Sequence, residues 1–130
     1  MGRLVVDSWA WVEYLRGSGA GRAVEERIVG KNELWTSAVS LAELVSKYRR
    51  SGADDSIAVE AITSLSRFGI PGREDAIEAG RLHADVKKKS PNFGLADSFV
   101  LQLARKIGGK VLTGDPDFRG IRDAEYIGAV

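Results

Sequence analysis

Residues 4–16 read LVVDSWAWVEYLR and join a short apolar run directly to an amphipathic one. The run over 4–6 has no polar alternation, which is typical of a strand buried on both faces. Over 8–16 the large apolar side chains recur at i, i+3 and i+4, the spacing of a helix, and Gly17 follows as a stop signal. A buried strand therefore passes into a helix at Asp7.

The same alternation of strand and helix continues along the chain. Further strands are predicted over 34–36, 68–70, 111–113 and 125–127. Further helices are predicted over 20–29, 40–50, 54–68, 73–88 and 95–107. Continuous apolar strands alternating with helices are typical of a parallel sheet covered on both faces. We therefore expect a single α/β domain over 1–130, a three-layer α/β/α sandwich with a mostly parallel central sheet.

The composition restricts the chemistry. The chain has no cysteine and one histidine, which argues against disulfides, thiol catalysis, serine triads and zinc sites. Nineteen Lys and Arg against eighteen Asp and Glu give a net charge of +1, so any nucleic-acid binding must be local. Two local basic groups, Arg49–Arg50 and Lys87–Lys89, fit solvated helix ends as well as RNA contacts. The apolar run near the N-terminus is too short for a signal sequence or a membrane span, so we expect a cytoplasmic protein with no membrane partner.

Four carboxylates fall where such a fold collects its functional groups. Asp7 and Asp115 directly follow strands, Glu43 lies a helical turn beyond the second strand, and Asp97 stands in the first turn of the most apolar helix. Because the carboxyl ends of parallel strands meet at one edge of a sheet, we expect the four to share a cleft. Hard divalent cations prefer oxygen ligands, so the sequence predicts a Mg²⁺ or Mn²⁺ site there.

The stretches around these carboxylates resemble the motifs of the PIN domain family, and within it the VapC-like toxins of toxin–antitoxin pairs. In chain order they are VVDSWAW, SAVSLAEL, GLADSFVLQLA and VLTGDPDF, which match a strand-end Asp, a helical Glu, a helical Asp and a Thr-x-Asp motif. The resemblance implies acidic site residues at Asp7, Glu43, Asp97 and Asp115. It further implies that Asp117 is an auxiliary ligand and that Ser8 and Thr113 support the ligands. The chain departs from the family pattern at Trp9, where a small polar residue is common.

The resemblance also implies an activity, the hydrolysis of RNA phosphodiester bonds. One or two cations held by Asp7, Asp97 and Asp115 would polarise the phosphate and lower the pKa of an attacking water, with no protein nucleophile. Glu43 would orient that water or complete the metal shell. The family further implies a homodimer and a small antitoxin that covers the cleft, with an Arg meeting the carboxylates.

Each carboxylate also has a purely structural interpretation. Asp7 fits an N-cap, Ser40 with Glu43 fits a capping box, and Asp115 before a proline fits a turn. Asp97 fits an acidic group at the positive end of its helix. Against this, Asp97 lies about 125° from the centre of the polar face expected on that helix, beside apolar positions. That polar face is formed by Ser98, Gln102, Arg105 and Lys106.

Two other functions fit the length and fold. A receiver-like signalling domain would carry an acidic pair after its first strand and a Lys after a late strand. Here Asp7 has no acidic neighbour, and Thr113 is followed by Gly114 and Asp115. A PIN-fold binding module without nuclease activity would have an incomplete set of carboxylates, whereas here the set is intact.

Overall fold

The structure, a computed structural model, describes residues 2–128. Its parallel sheet has five strands in the order β3-β2-β1-β4-β5, namely β1 (Arg3–Val6), β2 (Glu33–Ser37), β3 (Arg67–Gly69), β4 (Lys110–Thr113) and β5 (Ala124–Tyr126). The α-helices are α1 (Ser8–Arg16), α2 (Gly19–Ile28), α3 (Ala38–Arg50), α4 (Ser56–Leu65), α5 (Arg73–Lys87) and α6 (Leu95–Ile107). The predicted three-layer α/β/α fold is confirmed.

The central strand β1 explains why the run at the start of the chain is wholly apolar. It pairs with β2 on one side and β4 on the other, so Val5 lies between Trp35 and Val111. Val5 and Val111 belong to the core on one face of the sheet, whereas Leu4 and Val6 belong to the core on the other face. Successive side chains of a strand point to opposite faces, so all three residues of Leu4–Val6 contact apolar cores.

Helix α1 is fixed to the sheet by a buried tryptophan. Trp11 is fully buried, and its indole Nε1 donates a 3.1 Å hydrogen bond to Oγ1 of Thr36 in β2. The same hydroxyl oxygen is 2.7 Å from Oγ of Ser66. A buried indole N–H normally finds such a partner, and the bond sets the position of the helix that begins directly after Asp7.

The predicted helix over 54–68 is too long. The observed helix α4 covers Ser56–Leu65, and the strand predicted over 68–70 begins earlier, at Arg67. Before the helix, Oδ1 of Asp54 accepts a 2.9 Å hydrogen bond from the N–H of Ser56. After it, Ser66 has extended backbone angles and points its hydroxyl towards Thr36. From Arg67 onward the chain pairs with β2 as strand β3, so the helix ends before that residue. The other elements begin and end within two residues of their predicted limits.

Within residues 2–128, no helix combines the length and the apolar content that crossing a lipid bilayer would need.

Candidate active site at the carboxyl ends of the strands

Asp7 is a helix cap and a buried site carboxylate at once. It is only 4% exposed, and its Oδ1 accepts a 3.0 Å hydrogen bond from the N–H of Ala10 in the first turn of α1. Its Oδ2 accepts a 2.5 Å hydrogen bond from Oγ1 of Thr113 at the end of β4. The structural interpretation of Asp7 as an N-cap is therefore correct, but one oxygen remains directed to the neighbouring strand.

Asp115 follows β4 and opens a short 3-10 turn over Pro116–Phe118. Its N–H donates to Oγ1 of Thr113 at 3.0 Å, and its Oδ1 accepts from the N–H of Asp117 at 2.9 Å. Its Oδ2 has no hydrogen-bond donor among residues 2–128. The turn thus holds one oxygen of the carboxylate and leaves the other available.

Asp97 is held in the same way at the start of α6. It is the third residue of the helix, and its Oδ2 accepts a 2.8 Å hydrogen bond from the N–H of Gly94, the residue that caps the helix. Asp97 therefore forms the side-chain hydrogen bond of a capping box, the arrangement predicted for Ser40 and Glu43 on α3. Its Oδ1 has no hydrogen-bond donor in the described part of the chain.

The polar face expected on α6 is wrong in part. Ser98 is fully buried and Gln102 is 9% exposed, so two of its four residues face the interior. Gln102 donates a 2.8 Å hydrogen bond from Nε2 to Oδ1 of Asp75 on α5, which packs against α6. The angle between Asp97 and the expected polar face is therefore not a valid reason to assign Asp97 to the site. Its position in the first turn of α6 is the valid one.

Glu43 is not part of a capping box. Ser37 is the N-cap of α3, and its Oγ accepts a 3.2 Å hydrogen bond from the N–H of Val39, so the helix starts two residues before the predicted Ser40. Ser40 lies inside the helix, buried, and its hydroxyl has no partner among the described residues. Glu43 therefore stands in the second turn of α3, where its carboxylate makes no hydrogen bond to the start of the helix.

The structure brings most of the predicted acidic residues into one electrostatic group. One carboxylate oxygen from each of Asp97, Asp115 and Asp117 lies within 4.8 Å of the others. The charge of Asp115 raises the pKa of Asp7, Glu43, Asp97 and Asp117 alike. Asp115 is therefore the shared neighbour of the group, with Asp7 and Glu43 at its margins.

Burial and mutual repulsion both raise the pKa values in this group. Loss of solvent around Asp7 raises its pKa from 3.8 to about 7, with further increases from Asp115 and Asp97, against the lowering effect of its two hydrogen bonds. Loss of solvent also raises the pKa of Asp97 to about 6, again with repulsion from Asp115. The carboxyl groups of Glu43 and Asp117 have raised pKa values for the same reasons, and Lys87 opposes the shift at Asp117. Without a cation the ionised group is strained electrostatically.

The donor set fits a hard divalent cation. Asp97 and Asp115 each have one oxygen fixed by a backbone N–H, and the other has no donor from the described residues. Ligands oriented by hydrogen bonds at their second oxygen are the usual arrangement at protein metal sites. Carboxylate oxygens are what Mg²⁺ and Mn²⁺ prefer, and a positive charge among them would offset the repulsion described above.

Two carboxylates of the group, those of Glu43 and Asp115, line a cleft of about 270 Å³. Ser8 and Trp9 form one side of it, and among residues 2–128 Ser8 makes no hydrogen bond to the carboxylates. The ring of Trp9 lies so close to Gly114 that a Cβ there would be 2.3 Å from Cη2 of the indole. Trp9, the departure from the family pattern, is therefore accommodated by a glycine beside Asp115.

Sequence reasoning missed two contributors to this site. Gly94, whose N–H fixes Asp97, carries no signal beyond its position three residues before an acid at a helix start. Lys47 lines the cleft together with Arg50 and Glu43; their i, i+4, i+7 spacing predicts only that the three share one face of α3, not that this face lines the cleft.

The chain is similar to known proteins in sequence and in fold. Ribonuclease VapC11 of Mycobacterium tuberculosis is 29% identical to this chain over 123 residues, which cover 88% of each protein. Among solved structures, a toxin–antitoxin complex from Klebsiella pneumoniae contains a chain with a TM-score of 0.75 at 15% identity, covering 98% of this chain and 99% of that one. VapC20 of Mycobacterium tuberculosis, described as a toxin that cleaves the sarcin–ricin loop, has a TM-score of 0.68 at 15% identity, covering 83% and 86%.

The two structural matches show the shared fold. The model of the PIN domain family matches residues 4–124, which include every carboxylate of the cleft and the strands that carry them. The resemblance inferred from the motifs is thereby confirmed, and this chain belongs to the PIN domain family.

Proposed function

We propose that this protein is a metal-dependent endoribonuclease, the toxin of a VapBC-type toxin–antitoxin pair. The observation that carries the proposal is the convergence of Asp97, Asp115 and Asp117 within 4.8 Å in a chain of the PIN domain family. The similarity to Ribonuclease VapC11 over 88% of each protein supports the activity. Neither rival function has an observation in its favour.

Mg²⁺ or Mn²⁺ would be held by Asp97, Asp115 and Asp117. Asp7 and Glu43 lie near enough for the charge of Asp115 to raise their pKa values. Bound there, the cation would polarise the scissile phosphate and lower the pKa of the attacking water. The preference for Mg²⁺ or Mn²⁺ rests on the all-oxygen donor set.

The protein's own groups orient this chemistry. Thr113 holds Oδ2 of Asp7, the N–H of Gly94 holds Oδ2 of Asp97, and the N–H of Asp117 holds Oδ1 of Asp115. Because these bonds exist before substrate binds, the ligands need little reorganisation during the reaction.

Glu43 has a separate role in the proposal. Its carboxylate makes no hydrogen bond with any residue over 2–128, and its pKa is raised by loss of solvent and by Asp115. A carboxylate with a raised pKa is a better proton acceptor near neutral pH. We assign to Glu43 the orientation of the attacking water and the transfer of its proton to a carboxylate oxygen.

The proposal includes partners and a compartment. A small antitoxin would cover the cleft and place an Arg against the carboxylates, which is the pairing that acidic clusters favour. The structural similarity to a chain of the Klebsiella pneumoniae toxin–antitoxin complex supports an antitoxin partner. We also propose a homodimer acting on RNA in the cytoplasm. Co-expression with its antitoxin, followed by light scattering of the purified complex, tests both partners.

The activity is tested with purified protein and structured RNA in Mg²⁺, in Mn²⁺ and in excess EDTA. We expect cleavage with either cation and none in EDTA. Asp115→Asn should abolish cleavage, because it removes the charge common to the whole group. The exposed Asp85 on α5 gives the matched control, since Asp85→Asn should cleave normally. Equal cleavage with and without EDTA, or by Asp115→Asn, would contradict the proposal.

A further inference from the structure

One face of α3 carries positive charge away from the carboxylates. Glu43, Lys47 and Arg50 are spaced i, i+4 and i+7, and all three line the cleft with Asp115. At 1.5 Å per residue, Lys47 and Arg50 lie about 6 Å and about 10 Å along the helix axis from Glu43. The wall of the cleft therefore changes from acidic to basic along a single helix.

These two cations have no counterion in the structure. Among residues 2–128, no carboxylate oxygen lies within ion-pair distance of Lys47 or Arg50, and Arg50 only donates from Nε to Oγ of Ser46 at 3.2 Å. Arg49, the neighbour on the same helix, is turned away and lies 3.8 Å from Asp55. Arg49 and Arg50 are neighbours in the sequence, but they lie on different faces of α3. Of the two, only Arg50 lines the cleft without a carboxylate partner among residues 2–128.

An RNA strand needs such cations beside an acidic cleft. The net charge of +1 provides little attraction over the whole protein, and the carboxylates repel a polyanion. A cation at the carboxylates would cover only the phosphate that reacts there. The phosphates on either side of it still have to be held, and unpaired Lys and Arg side chains are the usual groups that do so.

We propose that Lys47 and Arg50 bind the backbone phosphates next to the one that lies at the carboxylates, so that the RNA strand follows α3 from Glu43 towards the C-terminal end of the helix. The inference rests on the proposed ribonuclease function. Arg50 offers a planar fork of donors suited to phosphate, and Lys47 offers a compact charge. Both are positioning residues, since neither touches the reacting atoms.

The structural alternative is that these cations only stabilise the C-terminal end of α3. Lys47, Arg49 and Arg50 all lie in its last turn, where positive charge is favourable. Arg49→Ala is therefore the matched control, because it removes the same charge from the same turn without facing the cleft. The variants to compare are Lys47→Ala, Arg50→Ala, the double variant and Arg49→Ala, with Lys47→Arg/Arg50→Lys as a conservative exchange.

The first measurement is the binding of a fluorescent single-stranded RNA in EDTA, where no metal-dependent cleavage interferes, over a series of salt concentrations. The double variant should bind about ten-fold more weakly at low salt, and its plot of log affinity against log salt should be shallower by about 1.4, from about 0.7 for each lost phosphate contact. Arg49→Ala and the conservative exchange should retain the slope of wild type.

The second measurement is steady-state cleavage in Mg²⁺. The double variant should raise KM and leave kcat nearly unchanged, because the neighbouring phosphates are held equally in the ground and transition states. An unchanged salt slope in the double variant, or an equal loss in Arg49→Ala, would overturn the inference. If wild type does not cleave RNA at all, the proposed function fails, and the binding series still decides the role of Lys47 and Arg50.

Discussion

The side chain of Thr113 connects the carboxylate of Asp7 to the backbone of Asp115. Its hydroxyl donates a 2.5 Å hydrogen bond to Oδ2 of Asp7 after β1, and its oxygen accepts a 3.0 Å hydrogen bond from the N–H of Asp115 after β4. The parallel pairing of β1 with β4 places the two strand ends side by side. Thr113 therefore links the buried carboxylate of Asp7 to the start of the turn that holds Asp115.

We predict that Thr113→Val weakens metal binding more than it destabilises the fold. Valine has nearly the same shape, but it leaves Oδ2 of Asp7 and the N–H of Asp115 without their partner, which costs about 1–3 kcal/mol. The pKa of Asp7 should rise further, because the bond from Thr113 lowers it. Calorimetric titration with Mn²⁺ measures the loss of affinity.

Thr36→Val is the matched control for that change. Thr36 is also a buried threonine at a strand position, and it accepts the indole N–H of Trp11. Its replacement should lower stability by a similar amount and leave Mn²⁺ affinity unchanged. Equal Mn²⁺ affinities for Thr113→Val and Thr36→Val would show that Thr113 has only a structural role.

Glu43→Gln should reduce cleavage strongly without lowering stability. The amide keeps the size of the side chain, and among residues 2–128 the Glu43 carboxylate has no hydrogen bond that the change would remove. Removal of its charge also relieves repulsion with Asp115. Cleavage rates and thermal melts should be compared with those of Glu60→Gln, an exposed glutamate on α4. Wild-type cleavage by Glu43→Gln would remove this residue from the site.

Gly114→Ala should destabilise the protein through Trp9. The added Cβ would lie 2.3 Å from the indole ring, and overpacking of this kind costs about 1–3 kcal/mol. Combining Gly114→Ala with Trp9→Leu should recover part of the loss. Gly80→Ala, in the middle of α5 with open space around it, should instead stabilise by about 0.5–1 kcal/mol. Urea unfolding of the three variants measures these differences, and equal stability of Gly114→Ala and wild type would contradict the contact.

The metal-free protein should lose stability as the pH rises from about 4 to about 7. The pKa of Asp7 is raised from 3.8 to about 7 in the folded protein, so folding favours its protonated form. That contribution is complete below the unfolded pKa and is lost as the pH passes through the folded one. The raised pKa corresponds to about 4 kcal/mol at most. Urea unfolding in EDTA across this range should show the decline in wild type, whereas Asp7→Asn should lack most of it; parallel curves for the two would contradict the raised pKa.

The sequence predicted the elements that depend on local pattern. The apolar run at Leu4 to Val6 marks a central strand because the strand is covered on both faces, and Asp7 and Asp115 follow from the ends of two such strands. Ser37 and Ser40 could not be separated in this way, since either serine fits a helix start. The pairing of Ser37 with Gly69 shows that β2 extends to Ser37, and α3 begins at the next residue.

The burial of residues on α6 also depends on tertiary packing, which the sequence does not show. Gln102 has a polar side chain, yet it is buried. Helix α5 covers it, and Oδ1 of Asp75 accepts a hydrogen bond from its Nε2. Lys47 and Arg50 could be assigned to the cleft only after α3 had been placed beside Asp115. The face of a helix or strand on which a residue lies can be inferred from the periodicity of the sequence. The residue that it contacts in a neighbouring layer can be identified only from the three-dimensional structure.

The shared carboxylate cleft is tested most directly by thermal melts of wild type and Asp97→Asn at about pH 7.5, each in EDTA and in excess Mg²⁺. The amide can still accept the N–H of Gly94, and it removes a charge whose pKa is raised to about 6 by burial and by Asp115. In EDTA the variant should therefore be more stable, by about 1–2 kcal/mol after allowance for solvent screening. Mg²⁺ should stabilise wild type more, since a neutral amide is the weaker ligand, and so reverse the order. If Asp97→Asn is no more stable than wild type in EDTA and Mg²⁺ shifts both equally, the carboxylates do not share a metal site.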